Sequence, residues 1–140
     1  MGFLIDTCIW IDVECGRLAP ADVAAHTGDA PVYLSPVTIA ELRYGAELAG
    51  DAGIRQKRLA ALDRLKTKPV LRIDERTGEV FGRLAGAIRA SGRQPRHRIQ
   101  DLWLASQAVQ HGMRLLTRNH RNFDDIPGLD LAVIEISKNA

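Results

Sequence analysis

The chain has 140 residues, 46% of them hydrophobic and 26% charged, enough for one domain with a sizeable core and leaving little room for two. Its 19 Lys and Arg against 17 Asp and Glu give a net charge of +2, which excludes blanket attraction to nucleic acid or membrane as a basis for function. Two cysteines, Cys8 and Cys15, are too few for a disulfide scaffold or a thiolate zinc site.

In chain order, the first apolar run, residues 3–5, is cut by Asp6 and has no basic residue before it. Neither a signal peptide nor a spanning segment is expected, and a cytoplasmic location is. Further short apolar runs occupy residues 32–34, 70–73, 114–117 and 131–136, none showing the polar alternation of a half-solvated strand. Helical patterns separate them, so the sequence predicts an α/β fold with a central parallel sheet of four or five strands.

Thr7 begins a short helix to residue 13. Ser35 as N-cap and Pro36 at the first helical position open a helix to about residue 49, ended by Gly50. Asp51 caps a second helix reaching about residue 66. Residues 74–90 carry Val80, Phe81, Leu84, Ala85 and Ile88 on one face, and residues 99–111 form the last helix, stopped by Gly112. No repeat, low-complexity tract or linker interrupts residues 1–140, which read as a single domain.

Carboxylates stand where a core is expected. Asp6 ends the first strand, and ligands of parallel sheets bind at the carboxyl ends of strands; the competing role is a helix cap. Glu41 shares its helical stripe with Val37, Thr38, Tyr44, Gly45 and Leu48, and Asp101 shares its stripe with Leu104, Ala105 and Ala108. An inward carboxylate costs several kcal/mol unless a metal or an arginine compensates it. Asn119 follows the fourth strand, so three acids and an amide from four parts of the chain fit an oxygen-ligand site for a hard cation. Basic residues flank them: Arg93, Arg96 and Arg98 precede the helix of Asp101, while Arg118, His120 and Arg121 bracket Asn119. A metal site rimmed by groups that grip phosphates suits phosphodiester cleavage; the alternative for the arginines is a solvated surface.

The stretches Leu4-Ile5-Asp6-Thr7-Cys8-Ile9-Trp10-Ile11-Asp12, Leu34-Ser35-Pro36-Val37-Thr38-Ile39-Ala40-Glu41-Leu42-Arg43-Tyr44-Gly45, Gln100-Asp101-Leu102-Trp103-Leu104-Ala105 and Leu116-Thr117-Arg118-Asn119 carry a resemblance. Together they resemble the PIN-domain family, specifically VapC-type toxin ribonucleases of type II toxin-antitoxin systems. The resemblance implies a three-layer α/β/α domain and a Mg²⁺- or Mn²⁺-dependent endoribonuclease acting on structured cellular RNA of the tRNA or rRNA class. It places Asp6, Glu41 and Asp101 as metal-binding and catalytic acids. Asn119 falls where relatives carry a fourth acid; it adds no negative charge, which makes a second tightly held metal doubtful and leaves Asp124 or Asp125 as compensating acids. Cys8 stands where relatives have Asn or Ser, leaving Thr7 or Thr117 to supply the polar contact. Arg96, Arg98, Arg118 and Arg121 are the expected RNA-binding residues.

The same resemblance implies a VapB-like antitoxin as partner, a homodimer or larger toxin-antitoxin assembly, and contact with DNA only through the antitoxin. Ile54, Leu59 and Leu62 either line a groove for the antitoxin tail or belong to the core. Three rival readings are a metal-free ribonuclease using His97 and His120 as acid and base, a receiver-like domain using Asp6, Asp74, Thr117 and Lys138, and a catalytically weak PIN scaffold serving as an antitoxin-binding co-repressor.

Overall fold

A computed structural model describes residues 2–135. Four strands, β1 (Phe3–Ile5), β2 (Val32–Tyr33), β3 (Arg114–Thr117) and β4 (Asp130–Val133), form one parallel sheet in the order β2-β1-β3-β4. Six α-helices surround it: α1 (Thr7–Glu14), α2 (Pro20–Thr27), α3 (Pro36–Glu47), α4 (Ala52–Leu65), α5 (Glu75–Ala90) and α6 (Ile99–His111). In register, Leu4 lies beside Tyr33 and Leu115, and Ile5 beside Leu116.

The alternation of strand side chains divides the core. Leu4 and Leu115 point to one face, where they pack with Leu84 and Ile88 of α5, Leu102, Ala105 and Ala108 of α6, and Phe123. Phe3, Ile5 and Leu116 point to the other, against Ile9 of α1 and Val23 of α2. Both faces are thus covered, the condition that permits an all-parallel sheet, and the result is the three-layer α/β/α arrangement.

Four expectations are corrected. Residues 70–73 do not form a strand. Only Val70 bridges Leu34, with Leu34 N–H donating to Pro69 O and Leu71 N–H to Leu34 O, both at 2.9 Å. Past this edge the chain turns at once into α5, capped by Asp74, and Val70 and Ile73 remain exposed. Helix α3 stops at Glu47, short of Gly50, with Leu48 as its C-cap. Helix α2 has no counterpart among the expected elements. The last strand ends at Val133; Ile136, expected within it, and Lys138 lie outside the described residues. Gly112 does stop α6, in the left-handed region at φ 62°.

Candidate active site

Asp6 is the first residue past β1 and is buried. It occupies the N-cap position of α1, yet its side chain makes no cap hydrogen bond. Its Oδ2 instead accepts from Thr117 Oγ1 at 2.7 Å and from Cys8 Sγ at 3.3 Å. The two ends of neighbouring strands are therefore joined through this carboxylate, and capping does not account for it. Asn119 contributes its backbone: its N–H donates to Thr117 Oγ1 at 3.0 Å, while the residue itself is exposed.

Glu41, on α3, is half-buried, and its Oε1 accepts from Thr7 at 3.1 Å. The Thr7 hydroxyl divides its proton between Glu41 and Thr38 Oγ1, which lies 3.0 Å away. Burial pushes the Glu41 carboxyl up, the Thr7 hydrogen bond opposes this, and the charge of Asp6 adds to the rise. Asp101, in the first turn of α6, is pushed up to about 6, by burial first and then by the negative charges of Asp6 and Glu41, against a smaller opposing pull from Arg98. These perturbations show the three acids to be electrostatic neighbours. Among the described residues none of the three forms an ion pair with Lys, Arg or His.

The expected basic residues divide. Arg98 is largely committed: both terminal nitrogens grip Asp125 at 2.8 and 2.9 Å, and Nη1 also donates to Asn122 O at 2.9 Å. Arg93 joins the same carboxylate at 2.7 Å. Asp125 is thereby neutralised in the joint between the 91–98 loop and the segment after β3, and Asp124 faces His120 at 3.7 Å in an exposed pair. Neither stands with the three acids as a substitute for Asn119. Arg96 and Arg121 are exposed. Arg118 places Nε 3.1 Å from Asp12 Oδ2. His97 is exposed, and Asp74 accepts from Thr77 N–H at 3.0 Å as the cap of α5, so the receiver reading loses its phosphate acceptor to a structural role.

Asp12 is the residue that sequence reasoning missed. It is fully buried, with Oδ1 accepting from Arg17 Nε at 2.7 Å and Arg118 facing its other oxygen. The apolar neighbours of Asp12 on α1 were its only local signal. Elsewhere, a cavity of about 730 Å³ opens between α1 and α4, lined by Trp10, Val13, Leu42, Ile54, Arg58 and Lys68 among others. Ile54 is exposed in this groove, Leu62 is buried yet lines both it and a smaller cavity nearby, and Leu59 lines only the smaller one.

A parallel α/β sheet with one carboxylate at a strand end and two on adjoining helices, none ion-paired among the described residues, offers the oxygen-donor chemistry that suits a hard cation. The PIN domain profile matches residues 3–129, and the chain belongs to that family. Ribonuclease VapC5 of Mycobacterium tuberculosis is 34% identical over 139 residues, covering 95% of this chain and 92% of the relative. The crystal structure of VapBC-5, a member of the VapBC family of toxin-antitoxin systems from the same organism, superposes with a TM-score of 0.72 at 28% identity, over 96% of this chain and 98% of that one. VapBC2 of Rickettsia felis, bound to a DNA fragment from their promoter, gives a TM-score of 0.81 at 20% identity, over 96% of this chain and 100% of that one, a likeness of fold.

Proposed function

We propose that this protein is the toxin endoribonuclease of a toxin-antitoxin pair, hydrolysing phosphodiester bonds of structured RNA of the tRNA or rRNA class with Mg²⁺ or Mn²⁺. The observation that carries the reading is the convergence of Asp6, Glu41 and Asp101 with no ion-paired cation among the described residues; burial first, and then the charges of Asp6 and Glu41, push Asp101 up to about 6. Their donor set is oxygen only, which suits a hard cation. No group of three or more His, Cys, Asp and Glu side chains is closed into a cage among the described residues. The reading therefore rests on Asp6 and Asp101 alone as direct ligands, since Mg²⁺ binds through one or two carboxylates and completes its shell with water and substrate phosphate. Asp6 and Asp101 would hold the ion, with Glu41 beside them; Asn119 would stand at the rim. Bound there, the ion supplies Lewis acidity toward the phosphate and lowers the pKa of water. Thr117 and Cys8 orient Asp6, Thr7 orients Glu41, and Arg96 and Arg121 grip the RNA backbone, with Arg118 paired to Asp12 beside them and Arg98 braced on Asp125 behind.

The antitoxin is a VapB-like chain seated in the groove between α1 and α4. Trp10 supports this: its ring lines the groove with Leu42 and Ile54, an apolar seat for side chains of an incoming segment. DNA is reached only through the antitoxin, and the toxin pairs as a homodimer or within a larger assembly. Residues 2–135 share one sheet and its covering helices, which supports reading the chain as one domain. Free Cys8 and Cys15 suit a reducing cytoplasm, and no helix among the described residues is long and apolar enough to cross a membrane.

The test is incubation of antitoxin-free protein with total cellular RNA in Mg²⁺, in Mn²⁺ and in EDTA, with the fragment ends mapped. Discrete metal-dependent cuts carrying 5′-phosphate and 3′-hydroxyl ends are expected. Asp6→Asn and Asp101→Asn should each abolish them while circular dichroism shows a folded chain. Cyclic phosphate ends that persist in EDTA would transfer the chemistry to His97 and His120. Silence from folded protein would leave the antitoxin-binding scaffold.

A further inference from the structure

Arg98 joins the segments that carry Asp101 and Asn119. It closes the 3₁₀ turn Pro95–Arg98 and is the N-cap residue of α6, three residues before Asp101. Its side chain and that of Asp125 are largely buried, 16% and 17% exposed, and both terminal nitrogens of the guanidinium bond the Asp125 carboxylate, at 2.8 and 2.9 Å. A two-pronged pair of this kind fixes orientation as well as distance. Nη1 also donates to Asn122 O at 2.9 Å, which ties the start of α6 to the 3₁₀ turn His120–Asn122.

From that turn a run of hydrogen bonds leads back to the other acid. Asn122 N–H donates to Asn119 O at 3.1 Å, Asn119 N–H to Thr117 Oγ1 at 3.0 Å, and Thr117 Oγ1 to Asp6 Oδ2 at 2.7 Å. One guanidinium thus stands between Asp101, on its own helix, and a path of bonds that ends on Asp6. Its charge also reaches Asp101, acting against the rise that burial imposes there. Arg93 grips the same Asp125 carboxylate at 2.7 Å from a more exposed position and braces it. Leaving Asp125 for an RNA phosphate would strip that carboxylate of its two-pronged partner and release the start of α6.

We propose that Arg98, fixed by Asp125, is a positioning residue that sets the separation of Asp6 and Asp101 for the cation and is not a contact for RNA. The proposal rests on the metal-dependent ribonuclease reading and adds to it a latch, outside the acids, on which cation affinity depends before any RNA arrives.

Mn²⁺ binding to antitoxin-free protein without RNA, read from the free-ion electron paramagnetic resonance signal, tests it. Wild type is compared with Arg98→Lys, Arg98→Gln, Asp125→Asn and the Arg98→Lys/Asp125→Asn double variant, with Asp101→Asn reporting the site and circular dichroism the fold. Arg98→Lys keeps the charge and loses the planar fork. It should raise the Mn²⁺ Kd about tenfold, the low end of the loss seen when a partner that orients metal ligands is removed, and Asp125→Asn should do the same. The double variant should lose no more than either single one, because the two groups act as a unit. KM for RNA at saturating metal should be unchanged. A raised KM with an unchanged Mn²⁺ Kd overturns the proposal and returns Arg98 to the RNA interface. An unchanged Kd in folded Arg98→Lys and Asp125→Asn overturns it too and confines the pair to stability. Tighter Mn²⁺ binding in Arg98→Gln beside unchanged binding in Arg98→Lys overturns it in favour of a bare charge effect. Should the variants at Arg98 fail to fold, Asp125→Asn decides, since its amide keeps the shape and one acceptor. If wild type binds no Mn²⁺, or Asp101→Asn binds it equally well, the metal reading falls and takes the proposal with it.

Discussion

Asp101 ties the chemistry of the site to its stability. Its carboxyl titrates near 6 in the folded chain against an ordinary value of 3.8. Between those values the folded state holds a proton that the unfolded state has released, so the stabilising contribution is complete below about pH 4 and is lost as pH rises through about 6. In EDTA, Asp101→Asn should therefore melt above wild type at pH 7, and the difference should shrink to nothing near pH 4. Mg²⁺ should raise the melting temperature of wild type and leave the variant almost unmoved. A variant less stable than wild type at pH 7 would mean that another group compensates the charge. The three acids were legible because each breaks an apolar pattern at a strand end or on a helix stripe. Thr7 and Thr117 were legible as alternative donors, and both serve, Cys8 adding a third contact. Asp12 was not legible, because Arg118 lies more than a hundred residues away and α1 is too short for its phase to be read with force. The commitment of Arg98 to Asp125 was hidden for the same reason: nothing local in the sequence links them.

At the scale of elements, the caps were readable and the edges were not. Ser35 accepts from Val37 N–H and Asp51 from Ile54 N–H, both at 3.0 Å, as their residue types foretold. Residues 70–73 looked like a buried strand because Val, Leu and Ile are the same letters in a strand and in an edge segment that leaves after one bridge. Helix α2 escaped notice because its alanine-rich stretch buries only Val23 and Thr27 and so shows little periodicity. Helix α5 carries a different anomaly: Gly78, Gly82 and Gly86 recur every fourth residue on an exposed face, in helical conformation, with open space where a Cβ would stand. Each glycine costs about 0.5–1 kcal/mol relative to alanine in such a position. Gly82→Ala should raise the chemical-denaturation stability of the protein by about that amount, with an unchanged dependence on denaturant. A loss of stability instead would show that something close-packed covers this face in solution.

Across the whole molecule, the site depends on a joint that no single element owns. Gln107 of α6 is fully buried. Its Oε1 accepts from Ser35 Oγ at 2.5 Å, at the turn from β2 into α3, and its Nε2 donates to Leu71 O at 2.9 Å, in the edge segment beyond α4. One amide thus holds the helix of Asp101, the helix of Glu41 and the sheet edge at fixed separation, and Ser35 uses the same oxygen to cap α3. Replacing it with an apolar side chain of similar length leaves the Ser35 O–H without an acceptor and the Leu71 carbonyl without this donor, each worth about 1–3 kcal/mol when buried. Gln107→Leu should accordingly lower stability by about 2–4 kcal/mol, read from the denaturation midpoint, with helical circular dichroism retained at low temperature. Because α3 and α6 also carry the acids, the variant should lose Mg²⁺-dependent cleavage at temperatures where it is still folded, and should need more Mg²⁺ for half-maximal rate. Lowered stability with an unchanged Mg²⁺ requirement would confine Gln107 to the scaffold and show that the acids keep their spacing through the sheet and core alone.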